Sequence, residues 1–265
     1  MSPPGRWEQS YDPVALGKMK AHTINATAGT LTGYDCKQCL NRGSIAHVRP
    51  DGSLVFKPCA CESIRRCVME MERSGLKNII KELTFEAFTV KEDWQNTLKQ
   101  GVMRYAANME GWLLLCGQSG CGKTHLCTAV CRQQLLGGKE VRYMPWRDEV
   151  AQIKACSLDS PHRQQLLDGY KNAGILYIDD LFKVGGAEQT GNKPTAADVG
   201  IAFDILNHRY LGGLATIIST EYSPQELAAI DEAVGGRIVQ MAGEHIYAVG
   251  KDVRRNYRLR KVKLL

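Results

Sequence analysis

Between residues 117 and 124 the chain reads Gly117-Gln118-Ser119-Gly120-Cys121-Gly122-Lys123-Thr124, a full G-x-x-x-x-G-K-T match. No other stretch restricts the fold as much. The glycines let the backbone close around an anion with successive N–H groups pointing inward, and such a loop needs a strand before it and a helix after it. Both are predicted: Trp112 to Cys116 is an apolar run of strand length, and Thr124 to Leu136 is a helix stopped by Gly137 and Gly138. In this frame Gly117, Ser119, Gly120, Cys121 and Gly122 cradle phosphates. Lys123 brings a positive charge to the β- and γ-phosphates of a nucleotide, and Thr124 offers its hydroxyl to Mg²⁺.

The flanking sequence extends the pattern. Glu140 to Met144, Ile175 to Asp179 and Thr216 to Thr220 read as further strands, with a helix from Thr195 to Leu211 between the last two. Ser223-Pro224-Gln225-Glu226 is a capping box with proline at the first helical position. Strands alternating with helices from about Thr84 onward imply an α/β fold with a parallel sheet. The strand Gly174-Ile175-Leu176-Tyr177-Ile178-Asp179-Asp180 ends in two carboxylates, where ligands sit in such sheets. Asp179 is expected to hold Mg²⁺, directly or through water, and Asp180 to polarise an attacking water. Asp180 is one methylene shorter than a glutamate there, which argues for slow ATP hydrolysis. Transfer of the γ-phosphate also needs a residue to orient water, for which the end of the Thr216 to Glu221 strand offers candidates. A cation is needed as well, for which Arg237 is the candidate.

Cysteine is the other informative residue. Of ten, Cys36, Cys39, Cys59, Cys61 and Cys67 lie in the first third, and the rest are scattered through apolar segments as small core residues. Cys36-x-x-Cys39 and Cys59-x-Cys61 supply four thiolates, enough for a closed tetrahedral structural Zn²⁺ site, with His47 and Cys67 as substitute ligands. The pairs flank Asp51-Gly52, a hairpin signal between Ile45 to Val48 and Leu54 to Phe56. So small a unit needs the metal to fold.

The remainder is less specific. Residues 1–33 form an N-terminal arm with one short helix near Pro13 to Ala21, and Ser63 to Leu83 reads as a helical, basic connector. Hydrophobic content of 44% excludes a disordered or fibrous chain. The apolar run at Trp112 is too short to span a bilayer, and no secretory h-region opens the chain, so a cytoplasmic protein is expected. A net charge of +6 permits nucleic-acid contact without arguing for it. Basic residues gather at Arg65 to Lys81 and at Lys251 to Lys263, the latter with Tyr257 interleaved, and the glycine-containing loop Lys183 to Lys193 is a third candidate surface for single-stranded DNA.

The order of these features resembles a known family. Cys-x-x-Cys and Cys-x-Cys, then Ser74-Gly75-Leu76, Thr84-Phe85 with Phe88, the glycine loop, Ile178-Asp179-Asp180-Leu181, Ser223 to Leu227, Gly235-Gly236-Arg237-Ile238 and Asn256 to Arg260 are similar to the DnaC/DnaI-type replicative helicase loaders, notably those of Gram-positive bacteria and their phages. The resemblance runs from about residue 34 to the end. It implies an AAA+ P-loop NTPase with a reduced C-terminal lid behind a small zinc-binding module. The expected division is an arm over 1–33, a zinc module over 34–68, a helical linker over 69–85 and the ATPase domain over 86–265. It further implies ATP, Mg²⁺ and Zn²⁺ as cofactors and ATP bound between self-associated subunits. Arg237 then acts as an arginine finger on a neighbour's ATP, and the implied partners are the replicative helicase hexamer and single-stranded DNA. A water-orienting residue is implied near Thr220 and Glu221, where glutamate departs from the family pattern, and a further arginine at Arg255 or Arg258. The alternatives are a transposition helper of the IstB type, a small-molecule kinase, and a zinc adaptor using ATP as a structural ligand.

Overall fold

Strands that are apolar on both faces must be covered by helices on both sides, and the sheet that follows residue 110 is built from such strands. The computed structural model describes residues 12–73, 82–156, 159–183 and 193–257. The chain divides after Arg65 into two compact units.

In the first unit, helix α1 (Pro13–Ala26) starts where the Asp12 carboxylate accepts the amides of Val14 and Ala15, and it runs five residues past the expected Ala21. Strands β1 (Ser44–Val48) and β2 (Leu54–Pro58) pair antiparallel with Val48 opposite Leu54, the hairpin expected around Asp51-Gly52. Gly52 sits at φ +83°, a left-handed conformation that glycine adopts without a Cβ clash. Asn25 of α1 bonds both the N–H and the carbonyl of Ala46, fastening the helix to the hairpin. Helix α2 (Cys61–Arg73) begins at the last cysteine of the cluster. The rest of the expected connector, including Ser74-Gly75-Leu76, Lys77 and Lys81, lies outside the described residues.

The second unit is an α/β layer structure. Helix α3 (Asp93–Asn108) leads into β3 (Trp112–Gly117), the glycine loop and helix α4 (Lys123–Leu136). Then come β4 (Val141–Pro145), α5 (Trp146–Ala155), α6 (Ser160–Lys171), β5 (Ile175–Asp179), α7 (Ala196–Leu211) and β6 (Ala215–Thr220). Helices α8 (Pro224–Ile230) and α9 (Glu232–Ala242) precede β7 (Ile246–Val249). The strand order is β4-β5-β6-β3-β7 and every pairing is parallel. Strand β6 therefore lies between the strand that feeds the glycine loop and the strand that ends in Asp179. All carboxyl ends face one side, which fixes where a ligand can sit.

The capping box at Ser223 with Glu226 is formed as expected, and Thr195 forms a second with Asp198 at the start of α7. One core cluster joins Trp112, Leu114, Met144, Ile178, Ile205 and Ile218 across sheet and helices, each worth about 1.5–3 kcal/mol on burial. Arg209 is fully buried there; its guanidinium donates to the carbonyls of Tyr170, Ala173 and Ala215, and burial lowers its pKa to about 10. After β7 the described residues include a three-residue helical turn, Val253–Arg255. No described helix is long and apolar enough to cross a membrane.

Candidate nucleotide site and cysteine cluster

Three glycines of the loop, Gly117, Gly120 and Gly122, have φ of +134°, +78° and +101°, values that side chains rarely adopt. A Cβ on Gly117 would stand 2.4 Å from the Val249 carbonyl oxygen, so the loop is also wedged against β7. Helix α4 starts immediately after Gly122, presenting its first amides to the loop. Lys123 is 5% exposed, and its Nζ donates to the carbonyls of Gly117 (2.7 Å) and Gln118 (3.0 Å). The lysine thus lies folded along the loop, over the ground that phosphates would occupy.

Thr124 Oγ1 donates to Asp179 Oδ1 at 3.2 Å, which brings the expected Mg²⁺ pair together. Asp179 is nearly saturated. Its Oδ1 also accepts from Tyr177 (2.6 Å) and Ser219 (2.6 Å), and its Oδ2 from Tyr143 (3.0 Å). A carboxylate offers about four lone-pair directions, so little of Asp179 is left for direct metal contact. The donor set of one hydroxyl and one carboxylate suits a hard cation held partly through water. Burial, together with the Asp179 charge, pushes the Tyr177 hydroxyl well above its ordinary pKa, so it stays a donor.

Asp180 adopts φ +57° and Phe182 φ +64°, two non-glycine residues in the left-handed region within three positions. That conformation costs about 1–2 kcal/mol each for a side-chain-bearing residue. Strand β6 imposes it: the Asp180 amide donates to Ser219 Oγ (2.9 Å) and the Leu181 amide to the Ser219 carbonyl (2.8 Å), while Leu181 and Phe182 are buried. The turn brings Lys183 Nζ to 2.7 Å from Asp180 Oδ2 and 3.3 Å from Glu221 Oε1.

A cavity of about 470 Å³, in the range of small-molecule sites, opens beside the loop. Phe88, Thr124, Asp180, Lys183 and Arg255 are among its lining residues. His125 closes one wall: its Nε2 hydrogen-bonds the Thr84 carbonyl (2.8 Å), its ring meets Phe88 edge-on at 5.2 Å, and burial lowers its pKa. The segment after β7 closes another. Gln118 exchanges two hydrogen bonds with the Asp252 backbone, both 2.7 Å, and the Tyr257 amide donates to the Gly120 carbonyl. Arg255 stands over the Trp94 ring at 5.5 Å. Sequence reasoning missed Tyr143 and His125 as parts of this site. Gln118 lay within the glycine loop and Phe88 within the Thr84 to Phe88 motif, but neither was given a role there.

Other expected residues lie elsewhere. Arg237 on α9 does not line the cavity; its guanidinium donates to the Ala233 carbonyl and packs over the rings of Phe203 (5.1 Å) and Tyr210 (5.6 Å) of α7. The strand-end hydroxyls divide their work: Ser219 serves Asp179, whereas Thr220 Oγ1 donates to the Leu181 carbonyl. Arg65, counted with the basic connector, is 8% exposed and donates to the Thr32 carbonyl and to Asn41 Oδ1, so it is withdrawn from solvent rather than offered to DNA. Arg66 is paired with Glu140, and Arg254 chelates Asp252. Lys251 and Tyr257 remain exposed. Residues 184–192, 258–260 and the rest of the basic C-terminus, Arg258 included, lie outside the described residues.

In the first unit the thiol sulfurs of Cys36, Cys39, Cys59 and Cys61 lie within 4.8 Å of one another, all buried. Cys36 and Cys59 are 3.8 Å apart and Cys39 and Cys61 3.5 Å. Zn–S bonds of about 2.3 Å in a tetrahedron need sulfurs about 3.8 Å apart, so the residues fit a tetrathiolate site. Among the described residues His47 and Cys67 are outside this cluster. Burial raises the Cys39 thiol, but the Gly43 amide at 3.4 Å and the neighbouring thiols bring it down to about 6. Burial pushes Cys61 up to about 12, even with the Arg65 guanidinium beside it.

Comparison with known proteins agrees with this architecture. A family model of the bacterial DnaA ATPase domain matches residues 79–242. The chain is 28% identical over 270 residues to the phage-like element PBSX protein XkdC of Bacillus subtilis (strain 168), covering 97% of this chain and 98% of that protein. It is 26% identical over 166 residues to the replicative helicase loader DnaC of Escherichia coli (strain K12), covering 56% of this chain and 68% of DnaC. A solved structure of the DnaC helicase loader superposes with a TM-score of 0.52 at 20% identity, over 66% of this chain and 99% of that one. Against AMPPCP-bound DnaA from Aquifex aeolicus the TM-score is 0.52 at 22% identity; 67% of this chain is covered, but the match spans only about half (52%) of the DnaA chain.

Proposed function

Because the chain belongs to the family of the bacterial DnaA ATPase domain, we propose that it is an ATP-dependent helicase loader, which binds a replicative helicase and delivers it to single-stranded DNA. The observation that carries this reading is the contact of Thr124 with Asp179 at the foot of the glycine loop, in a chain similar to DnaC and preceded by a four-cysteine unit.

The amides of Gly120 to Thr124 receive the phosphates of ATP, and Lys123 exchanges the carbonyls of Gly117 and Gln118 for phosphate oxygens. Thr124, with Asp179 acting through water, would hold Mg²⁺, which when bound would supply charge neutralisation to the phosphates. Tyr143, Tyr177 and Ser219 keep Asp179 fixed for that task. Asp180 accepts a proton from the water it orients toward the γ-phosphate. Arg237 belongs to the reaction in trans: released from the Phe203 and Tyr210 rings, it reaches the nucleotide of a neighbouring copy. Each site is then completed only in an assembly, and turnover by the isolated chain is slow. The four thiolates of Cys36, Cys39, Cys59 and Cys61 hold Zn²⁺ and give the N-terminal unit the rigidity to grip the helicase. Lys251 and Tyr257, with the basic residues that follow, supply cations and an aromatic face suited to single-stranded DNA.

The test is co-purification with the hexameric replicative helicase of the same source, with ATP, with ADP and without nucleotide. The expected result is a complex that the double substitution Cys36→Ser and Cys39→Ser abolishes and that Lys123→Ala makes insensitive to nucleotide. Absence of a complex under every nucleotide condition, with zinc-loaded folded protein, overturns the reading.

A further inference from the structure

Lys183 has two seats. Its ammonium lies 2.7 Å from Asp180 Oδ2 and 3.3 Å from Glu221 Oε1, at the rim of the cavity that the glycine loop also lines. The geometry is imposed rather than incidental. The Asp180 amide is fixed by the Ser219 hydroxyl, the Lys183 amide donates back to the Asp180 carbonyl (2.9 Å), and the buried Leu181 and Phe182 pin the turn between them. The backbone holds Asp180 and Lys183 at this spacing, so the pair opens by side-chain movement alone. Glu221, at the end of β6, already shares the ammonium and keeps it paired when it leaves Asp180. Burial opposes the charge on Lys183, but Asp180 and Glu221 outweigh it and hold its pKa above the ordinary lysine value, so the donor is always present.

An Asp180 oxygen that accepts from an ammonium is a poorer acceptor for the proton of water. We infer that Lys183 is a positioning residue that restrains ATP turnover, occupying Asp180 in the resting chain and releasing it by transfer to Glu221. The inference rests on the reading of Asp180 as the residue that polarises water. It also gives a physical role to the glutamate at position 221, where the family pattern places a different residue.

The experiment is steady-state phosphate release from ATP by the 265-residue chain, in wild type, Lys183→Ala, Lys183→Arg, Glu221→Gln, the Lys183→Ala/Glu221→Gln double variant and Asp180→Asn. A partly exposed ion pair restrains little, so Lys183→Ala is expected to raise kcat about two- to fivefold with KM unchanged. Lys183→Arg is expected to restore the wild-type rate. Glu221→Gln removes the second seat and is expected to lower kcat, and that loss is expected to vanish in the Lys183→Ala background. A kcat that falls or stays level in Lys183→Ala, or a Glu221→Gln effect that persists without Lys183, overturns the inference. Asp180→Asn separates the two failures. If it abolishes turnover while Lys183→Ala fails to raise it, only the restraint is wrong. If it turns over like wild type, the reading of Asp180 itself falls.

Discussion

Replacing Ser219 with alanine removes one hydroxyl and no volume that the surroundings need, yet that hydroxyl links the two acidic residues of the site. It donates to Asp179 Oδ1 at 2.6 Å and accepts the Asp180 amide at 2.9 Å, in a side chain with no solvent exposure. A hydrogen bond to a charged acceptor contributes about 1.5–3 kcal/mol, and an amide left without a partner costs about 1–3 kcal/mol. The two losses share one site and do not add fully, so roughly 2–4 kcal/mol is expected. In a unit of this size that corresponds to a fall in Tm of roughly 5–15 °C. Turnover should fall further than stability alone explains, by about tenfold to a hundredfold, because Asp179 and Asp180 lose the strut that sets their spacing. Thr220→Val is the control. It deletes an equally buried hydroxyl whose partners are the Leu181 carbonyl and the Tyr222 amide, so it should lower Tm without the same loss of turnover. Scanning calorimetry and phosphate release on the three proteins suffice. A Ser219→Ala protein with wild-type Tm refutes the hydrogen-bond reasoning; one with lowered Tm but unchanged turnover shows that Ser219 does not position the carboxylates.

Three further outcomes are expected. Cys36→Ser with Cys39→Ser should release the bound zinc, read by a chromogenic chelator, and unfold the first unit while ATP affinity of the second survives, since no residue of the glycine loop lies in the cysteine unit. Arg65→Met should weaken zinc retention about tenfold or more, with Arg65→Lys intermediate, because the buried guanidinium lies beside the Cys61 thiol and bonds the Asn41 side chain that also accepts the Cys36 amide. His125 has a pKa below its unfolded value of 6.5 because it is buried. The unfolded chain therefore takes up the proton first, and the stabilisation present above pH 6.5 is lost as pH falls below it. Urea midpoints measured from pH 7.5 to 5.5 should drop less steeply for His125→Gln than for wild type.

What could be read from sequence was whatever depends on spacing along the chain. The glycine loop, the strand ending at Asp179, the hairpin at Asp51-Gly52 and the capping boxes at Thr195 and Ser223 are local, and each lies where its residues put it. The four cysteines converge because the hairpin between the pairs returns the chain on itself. Strand neighbours were not legible. That Ser219 and not Thr220 reaches Asp179 follows from the register of β5 on β6, with Ile178 opposite Ile218, and a shift of one residue would exchange their faces. Tyr143 reaches Asp179 only because β4 pairs with β5 so that Tyr143 faces Tyr177. Helix α3 carried a usable signal, Leu98, Val102 and Tyr105 on one face behind the Glu92 and Gln95 box. Strand β7 carried almost none, being four residues long and held chiefly by its pairing with β3. Arg65 misled for a related reason: a basic residue in a basic run reads as surface until the fold folds Asn41 and the thiols around it.

The central claim is delivery of a helicase to DNA under control of the nucleotide site. It is tested most directly by retention of the hexameric replicative helicase on circular single-stranded DNA, measured by gel filtration after incubation with this protein and ATP. Closed circles offer no end to thread, so retention reports loading. The account predicts helicase on the circles with wild type and ATP, and only the spontaneous level with Lys123→Ala or with no nucleotide. Wild-type protein that binds ATP and binds the helicase, yet never raises retention above the spontaneous level, would contradict it.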